Sequence, residues 1–294
     1  MNSREKGFLL LTSHLGNPGR KPLTQAQLKQ LAARVRLMNA PEEERELEQR
    51  DLMALGYGRE MAARILSLLR EEDVLAYYLS GARDCTPIPR CADNYPVLLQ
   101  QRLGYETPGC LWAKGDISLM NKAAISLVGS RELREKNRAF ARSVGEVAAE
   151  NGLVLISGNA RGADRTAQEA CLAAGGQVIS IVADELTAHP QRERVLYLSE
   201  DGYGEPFSAQ RALSRNRIIH TLGQITFVAQ AAFGKGGTWD GTVKNLRHGW
   251  STVACFRDGS PASLELEQMG AYLMGLEELK DFSWISQSEP SLFG

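Results

Sequence analysis

The sequence predicts an α/β protein with an open, mostly parallel β-sheet, helices on both faces, and a small all-helical domain before it. The first observation is a strand, glycine turn, helix, strand and second glycine turn in residues 123–164. The second is that short apolar runs and helical patterns continue to alternate up to about residue 280. The third is the wholly helical pattern of residues 1–84.

Length and composition are those of an ordinary soluble protein. The 294 residues suffice for one large or two moderate domains with a substantial core. Hydrophobic residues make up 43% and charged residues 23% of the chain. The net charge of -1 indicates no class of partner, but residues 131–142 carry five basic side chains against two acidic ones. Any basic surface is therefore local.

The cysteines and the apolar runs indicate a compartment. The five cysteines include no CxxC pair, so neither a zinc site nor a disulfide framework is predicted. The apolar patch near the N-terminus is too short for a signal peptide, and no run approaches the ~20 residues that span a bilayer. We expect a cytoplasmic protein without a membrane segment.

Residues 1–84 form the predicted helical N-terminal domain. Thr24 is a candidate helix cap, and Met61, Ile65 and Leu68 form an amphipathic stripe. The short helices and a Leu-Gly-Tyr turn at residues 55–57 are compatible with a helix-hairpin-helix. A packing or interaction module that does not contact DNA is the other interpretation.

Residues 85–122 are predicted to be an extended connector packed on the core. Four prolines in this segment argue against a long helix. They are Pro87, Pro89, Pro96 and Pro108.

Residues 123–280 form the predicted ligand-binding domain. Buried strands are predicted at residues 124–128, 153–156, 178–182, 225–229 and 252–256. A loop and short helix are expected from His189 to Ser199, a single helix over residues 210–222, and a last helix from Ser263. Residues 281–294 are predicted to be a loosely ordered tail.

Three glycine-rich turns follow three of these strands. Because the carboxyl ends of parallel strands lie at one edge of a sheet, the turns can converge on one pocket. Glycines let the backbone approach a ligand, and helix N-termini attract anions. Together with the nearby arginines and lysine, these features predict a phosphate site. The candidate residues are Gly129, Ser130, Arg131, Ser157, Gly158, Arg161, Gly162, Arg215, Asn216, Arg217, Lys235, Gly236, Gly237 and Thr238.

No catalytic or metal-binding constellation is found in the sequence. The four histidines lack metal-ligand spacing, and no GxGxxG, P-loop or GxSxG motif occurs. Asp164 is expected to order the second glycine turn, through its amides or through Arg161, rather than to act in catalysis. We therefore predict a binding protein without a cofactor or a metal, and not an enzyme.

The arginines of residues 215–217 are predicted to differ in depth. Residues two apart on a helix point about 200° apart, so both arginines cannot face the same ligand on a regular helix. The apolar positions Leu213, Ile218 and Ile219 predict that Arg217 reaches inward to the glycine turns. Arg215 would then lie on the outer rim. The competing interpretation is that Arg217 pairs with a buried carboxylate such as Asp164.

Three blocks of the chain resemble the DNA-processing protein A (DprA/Smf) family. They are GSR at residues 129–131, SGNARGAD at residues 157–164 and RNRII at residues 215–219. The resemblance covers roughly residues 87–260. It implies a protein with an extended Rossmann-like fold that forms dimers, binds single-stranded DNA and loads the recombinase RecA during natural transformation. It also implies that Ser130, Arg131, Gly158, Arg161, Arg215 and Arg217 contact DNA phosphates.

Two departures from the family pattern leave a second function open. The chain has Thr166-Ala167-Gln168 where the family usually has a histidine, and its third turn reads GKGGTWDGT. The alternative is a nucleotide-binding sensor, or a phosphoribohydrolase like the LOG proteins, that uses the same pocket with Trp239 stacked on the base. A LOG enzyme would need a PGGxGTxxE loop, and the third turn lacks its proline and glutamate.

Overall fold

The computed structural model describes residues 1–36 and 46–280 of the chain. The predicted tail, residues 281–294, lies outside the described residues. The chain divides into two compact units. The first consists of Met1–Tyr95 and Thr107–Leu111, and the second of Pro96–Glu106 and Trp112–Gly294. The segment predicted to be a connector, residues 85–122, therefore contributes to both units.

The helical character predicted for the N-terminal region is confirmed. Its helices are α1 (Ser3–Thr12), α2 (Gln25–Val35), α3 (Gln49–Ala54), α4 (Arg59–Leu69) and α5 (Glu72–Ser80). The predicted cap is also present, because the Thr24 side chain accepts a hydrogen bond from the Gln27 amide at 3.3 Å. Leu31, Leu52 and Ile65 pack in one buried cluster, which holds α2, α3 and α4 together.

The described strands make a nine-stranded, mostly parallel sheet in the order β1-β2-β6-β5-β4-β3-β7-β8-β9. Strand β2 is antiparallel to β6, and the pairs from β6 through to β9 are parallel. The strands are β1 (Thr86–Pro89), β2 (Cys110–Lys114), β3 (Ala124–Val128), β4 (Val154–Ser157), β5 (Gln177–Ile181), β6 (Val195–Ser199), β7 (Ile225–Val228), β8 (Thr252–Phe256) and β9 (Tyr272–Met274).

Helices cover both faces of this sheet, as predicted. On central strand β3, Ser126 donates a hydrogen bond to the Ile219 carbonyl of the helix Asn216–Leu222, so the neighbouring Ile125 and Leu127 face the opposite side. The helices after β1 are α6 (Val97–Leu103), α7 (Glu135–Glu150), α8 (Ala163–Ala173), α9 (Ala209–Ser214), α10 (Asn216–Leu222), α11 (Gly237–His248), α12 (Pro261–Gln268) and α13 (Leu276–Lys280). Short 3₁₀ turns occupy Gly104–Glu106, Ile117–Asn121 and Leu186–Ala188.

Three local predictions are wrong. Val195–Ser199 is a fully buried strand, β6, and not the end of a short helix. Residues 210–222 do not form one helix, because α9 ends at Ser214 and α10 begins at Asn216. The helix predicted from Ser263 as the last one is α12, which begins at Pro261 with Ser260 as its cap and is followed by β9 and α13. The apolar run at residues 195–198 is too short for its periodicity to distinguish a strand from a helix. It forms a strand because it is buried between β5 and β2 in the sheet.

Candidate nucleic-acid interface

The three glycine-rich turns come together at one edge of the sheet. They follow β4, β3 and β7, which are adjacent strands with parallel register. The chain leaves β3 toward β4 on one side and reaches β7 on the other, so the turns lie at a topological switch point. They line a cavity of about 410 Å³, here called the glycine-turn cavity. Its lining includes Gly129, Ser130, Arg131, Ala160, Asp164, Ala212, Leu213, Arg215, Asn216, Lys235, Gly236, Gly237 and Thr238.

The first two turns touch each other through their backbones. The Ala163 amide donates to the Ser130 carbonyl at 3.1 Å. Gly162 has a φ of +89°, and a Cβ there would lie 2.5 Å from the carbonyl oxygens of both Ser130 and Arg131. Only glycine fits this position. The contact brings the N-terminus of α8 next to the end of β3.

Asp164 and Arg215 are a buried pair beneath the second turn. Oδ2 of Asp164 accepts from the amides of Gly158 and Ala160, both at 3.2 Å, and lies 3.9 Å from Nη2 of Arg215. Burial raises the pKa of Asp164 above its ordinary value, although Arg215 and the two amides act in the opposite direction. Burial likewise lowers the pKa of Arg215, against the effect of Asp164. The carboxylate thus holds both the turn and the arginine.

Arg215 is packed directly on Gly158. Its Nη2 donates to the Gly158 carbonyl at 2.8 Å. A Cβ at position 158 would overlap the guanidinium, so this site requires glycine for space. Arg215 also donates through Nη1 to Asn216 at 3.0 Å, and Asn216 donates to the Gly237 carbonyl at 3.1 Å. This chain of contacts connects the second turn to the third.

Positive charge at the glycine-turn cavity has two origins. Arg131 and Lys235 are exposed, and neither has an ion-pair partner among residues 1–36 and 46–280. The second origin is the N-terminus of α11, which begins at Gly237 on the cavity wall. The amides of a first helical turn have no intrahelical acceptor and carry a partial positive charge. Free cations and free amides are what a phosphate requires.

A second cavity of about 380 Å³ adjoins the first. Arg131, Ala160, Ala212 and Arg215 line both cavities. The other lining residues are Gly158, Asn159, Arg161, Arg165, Ala183, Asp184, His189 and Phe207. We call it the side cavity.

The predicted site residues divide into three groups. Nine line the glycine-turn cavity: Gly129, Ser130, Arg131, Arg215, Asn216, Lys235, Gly236, Gly237 and Thr238. Gly158 and Arg161 line only the side cavity. The remaining three, Ser157, Gly162 and Arg217, line neither of these cavities.

Ser157 serves the interior of the domain. It is fully buried, and its hydroxyl accepts from Nε2 of Gln168 at 2.6 Å. Gln168 is part of the sequence that replaces the family's usual histidine, and it also reaches Ser180 on β5 at 3.4 Å. The geometry makes Ser157 a contact between β4 and α8 and not a cavity-lining group.

The predicted orientation of the two arginines is wrong. Arg215 is the inward residue, whereas Arg217 forms a bidentate pair with Glu200 at 2.5 and 3.0 Å. The predicted orientation is wrong because Leu213, which was expected to lie in the core, is 51% exposed. The buried positions are Ile218 and Ile219, and Arg215 precedes them by three and four residues, so it shares their face.

The side cavity was not predicted from the sequence. Asp184 and His189 follow β5, and Phe207 precedes α9. The sequence does contain a signal for Asp184. This residue follows the strand predicted at 178–182, and ligands bind at the carboxyl ends of the strands in open α/β sheets. Trp239, the predicted stacking residue of the nucleotide alternative, packs on Phe233 with ring centroids 5.2 Å apart and lines neither cavity.

Neither a metal site nor a membrane-crossing helix emerges from the described chain. In residues 1–36 and 46–280, no three His, Cys, Asp or Glu side chains are grouped so that they could hold a metal ion. Among the helices of the same ranges, none has both the length and the apolar character that crossing a bilayer requires.

The family model described as DNA recombination-mediator protein A matches residues 87–252, more than half of the chain. The chain belongs to this family. The match contains every glycine turn and every predicted site residue. It therefore confirms the resemblance carried by the GSR, SGNARGAD and RNRII blocks.

Characterised relatives and solved structures agree with this assignment. The DNA processing protein DprA of Streptococcus pneumoniae is 31% identical over 209 residues, covering 65% of this chain and 72% of the relative. Protein Smf of Escherichia coli is 31% identical over 160 residues, covering 51% of this chain and 42% of the relative. The X-ray structure of S. pneumoniae DprA superposes with a TM-score of 0.68 at 24% identity, covering 95% of both chains. That similarity confirms the Rossmann-like fold.

Proposed function

We propose that the protein binds single-stranded DNA by its phosphates in the glycine-turn cavity. The observation that carries the proposal is the convergence of three glycine turns, the α11 N-terminus and the unpaired cations Arg131 and Lys235 on one cavity. Phosphate contacts of this kind fix a nucleic acid strand without reading its sequence. The chain's slightly negative net charge of -1 makes this local arrangement the electrostatic basis of binding.

A related structure supports DNA as the ligand class. DNA processing protein A from Helicobacter pylori, whose structure is described for its single-stranded DNA binding mode, shares the fold with a TM-score of 0.55 at 20% identity. The superposition covers 69% of this chain and 94% of that one. The family assignment extends the same ligand to this chain as a proposal.

The proposal includes a non-enzymatic role in recombination. By family resemblance, the bound strand is delivered to the RecA recombinase, and the protein acts in the cytoplasm as a homodimer during natural transformation. Light scattering on the purified chain tests the dimer. Co-purification with RecA in the presence and absence of single-stranded DNA tests the partner.

Fluorescence anisotropy with labelled oligo-dT and a matched duplex tests the ligand. We expect binding of the single strand that weakens steeply with salt, because released counterions dominate phosphate-led affinity. Arg131→Ala and Lys235→Ala should each weaken it, whereas Arg142→Ala, a removal of an exposed arginine on α7 outside both cavities, should not. Binding to duplex alone, or binding indifferent to salt, would contradict the proposal.

The nucleotide alternative predicts a different outcome. A thermal-shift screen with mononucleotides and with oligo-dT compares the two ligands on the same cavity. Stabilisation by a mononucleotide, without any oligonucleotide binding, would favour the sensor. Release of free base would favour the hydrolase.

A further inference from the structure

The side cavity combines an aromatic ring, a carboxylate and several arginines next to the proposed phosphate site. Phe207 lines it with 57% of its surface exposed. Asp184 lines it with a half-exposed side chain. Arg161 and Arg165 are exposed at its edge. Arg161 follows β4, Arg165 lies in the first turn of α8, Asp184 follows β5 and Phe207 precedes α9, so the fold brings these residues together from separate parts of the chain.

Phe207 is exposed on a backbone that is held in place. Arg211 donates through Nη1 to the carbonyls of Glu205 and Pro206, the two residues that precede Phe207. Its Nε donates to Asp201 at 2.8 Å, and its side chain is only 14% exposed. An aromatic ring presented to solvent by a fixed segment is suited to stacking on a nucleobase, because little conformational freedom remains to be lost.

Asp184 is held as an ionised acceptor. Its Oδ1 is 2.9 Å from Nε2 of His189, whose ring stacks on Tyr197 with centroids 4.8 Å apart. The hydrogen bond with His189 keeps the pKa of Asp184 below its ordinary value. An ionised carboxylate accepts hydrogen bonds and donates none. The other oxygen of the Asp184 carboxylate, Oδ2, can therefore accept hydrogen bonds from a ligand but cannot donate one.

The two cavities are joined closely enough to share a nucleotide. Arg131 and Arg215 form part of both walls, together with the small residues Ala160 and Ala212. Because the cavities share these walls, a strand with a phosphate in the glycine-turn cavity can extend an attached base into the side cavity. The side cavity's volume of about 380 Å³ has room for one base.

We propose that the side cavity is a nucleobase subsite in which Phe207 stacks on the base and Asp184 accepts from an exocyclic amine. The chemistry favours cytosine over thymine. Cytosine offers the N4 amine that carboxylates accept from, whereas thymine places a carbonyl oxygen at the same position. The inference rests on the proposed single-stranded DNA binding and adds base preference to it.

The test measures affinities for short homopolymers dC and dT and for a dT strand with abasic sugars. The intact chain should bind dC several-fold more tightly than dT, and the abasic strand more weakly than both. Phe207→Ala should lower the affinity for the base-containing strands by about fivefold or more, the scale of one stacked base. Its matched control is Phe233→Ala, which removes an exposed ring that lines neither cavity.

The ratio of dC to dT affinities isolates Asp184. Asp184→Asn removes a negative charge, so it should raise the affinity for dT and for the abasic strand, and the loss of the contact with cytosine should bring the dC to dT ratio close to one. Asp240→Asn, an exposed control outside both cavities, should leave the ratio unchanged. Equal affinities for dC, dT and the abasic strand, with salt-dependent binding intact, would overturn the subsite alone. The absence of binding to any strand would overturn the proposed function.

Discussion

At the scale of single residues, Gly158, Asp164 and Arg215 form one interlocked unit. Asp164 accepts from two amides of the turn and attracts the arginine, and the arginine donates back to the Gly158 carbonyl. Desolvation offsets much of the attraction in a buried charge pair of this kind, so the pair by itself adds little net stability. We propose that its role is to fix Arg215 between the two cavities.

Gly158→Ala tests the space that this unit needs. The added methyl group would overlap the guanidinium of Arg215, so either the arginine or the turn must move. We expect a lower melting temperature and weaker binding of single-stranded DNA. Gly204→Ala is the control, because a Cβ there meets nothing within 4 Å. Wild-type affinity in Gly158→Ala would show that the position of Arg215 is irrelevant to binding.

Arg215→Ala and Arg217→Ala should separate binding from stability. Arg215 lines both cavities, so its loss should weaken binding and, by leaving Asp164 buried without its cation, lower the melting temperature. Arg217 lies outside both cavities, so its loss should lower the melting temperature only. Anisotropy performed well below each melting temperature measures the first effect and scanning fluorimetry the second. A larger affinity loss in Arg217→Ala than in Arg215→Ala would contradict the proposed role of Arg215 in binding.

At the scale of elements, the strands around the site were predictable and the helix break was not. Strands β3, β4 and β7 are buried apolar runs bounded by glycine, and that pattern specifies a parallel strand and its turn. The interruption at Arg215 has no such signal. Arg215 and Arg217, at and after the break, are held by Gly158 and Glu200, which lie 57 and 17 residues away in the sequence. Strand β6 was missed for a different reason, because the periodicity of a short apolar run does not distinguish a strand from a helix.

The pair between Arg217 and Glu200 connects α10 to the end of β6. The carboxylate of Glu200 is 6% exposed, and burial raises its pKa even though Arg217 acts in the opposite direction. Removing the arginine leaves the buried carboxylate of Glu200 without its cation, at a cost of about 3–5 kcal/mol in the free energy of unfolding. Adding Glu200→Gln to Arg217→Ala should recover part of the lost melting temperature. No recovery in the double variant would show that the pair does not act through charge.

The pH dependence of Arg217→Ala follows from the same shift. Without the arginine, the pKa of Glu200 in the folded state rises further above its unfolded value. The loss of stability caused by burying the ionised carboxylate is then at its full value above the folded-state pKa, and it decreases as the pH falls through that pKa. The difference in melting temperature between the variant and the wild type should therefore be smaller near about pH 5 than near about pH 8. A constant difference across this range would contradict the assignment.

At the scale of the whole molecule, the proposed DNA binding depends on local rather than overall charge. The chain carries 34 basic and 35 acidic residues, so no net field draws DNA to it. Binding must then come from a few contacts at the edge of the sheet, where the fold gathers turns that are distant in sequence. Only a few cations can then contribute to the affinity for DNA. The number of phosphates that they contact is therefore small enough to be measured.

The salt dependence of oligo-dT affinity counts those contacts directly. For single strands, the logarithm of the binding constant falls with the logarithm of salt concentration by about 0.7 for each neutralised phosphate. Removing Arg131 and Lys235 together should reduce this slope by about 1.4, while Arg142→Ala leaves it unchanged. A slope that is the same in the double variant and the wild type would show that the glycine-turn cavity does not hold the DNA backbone.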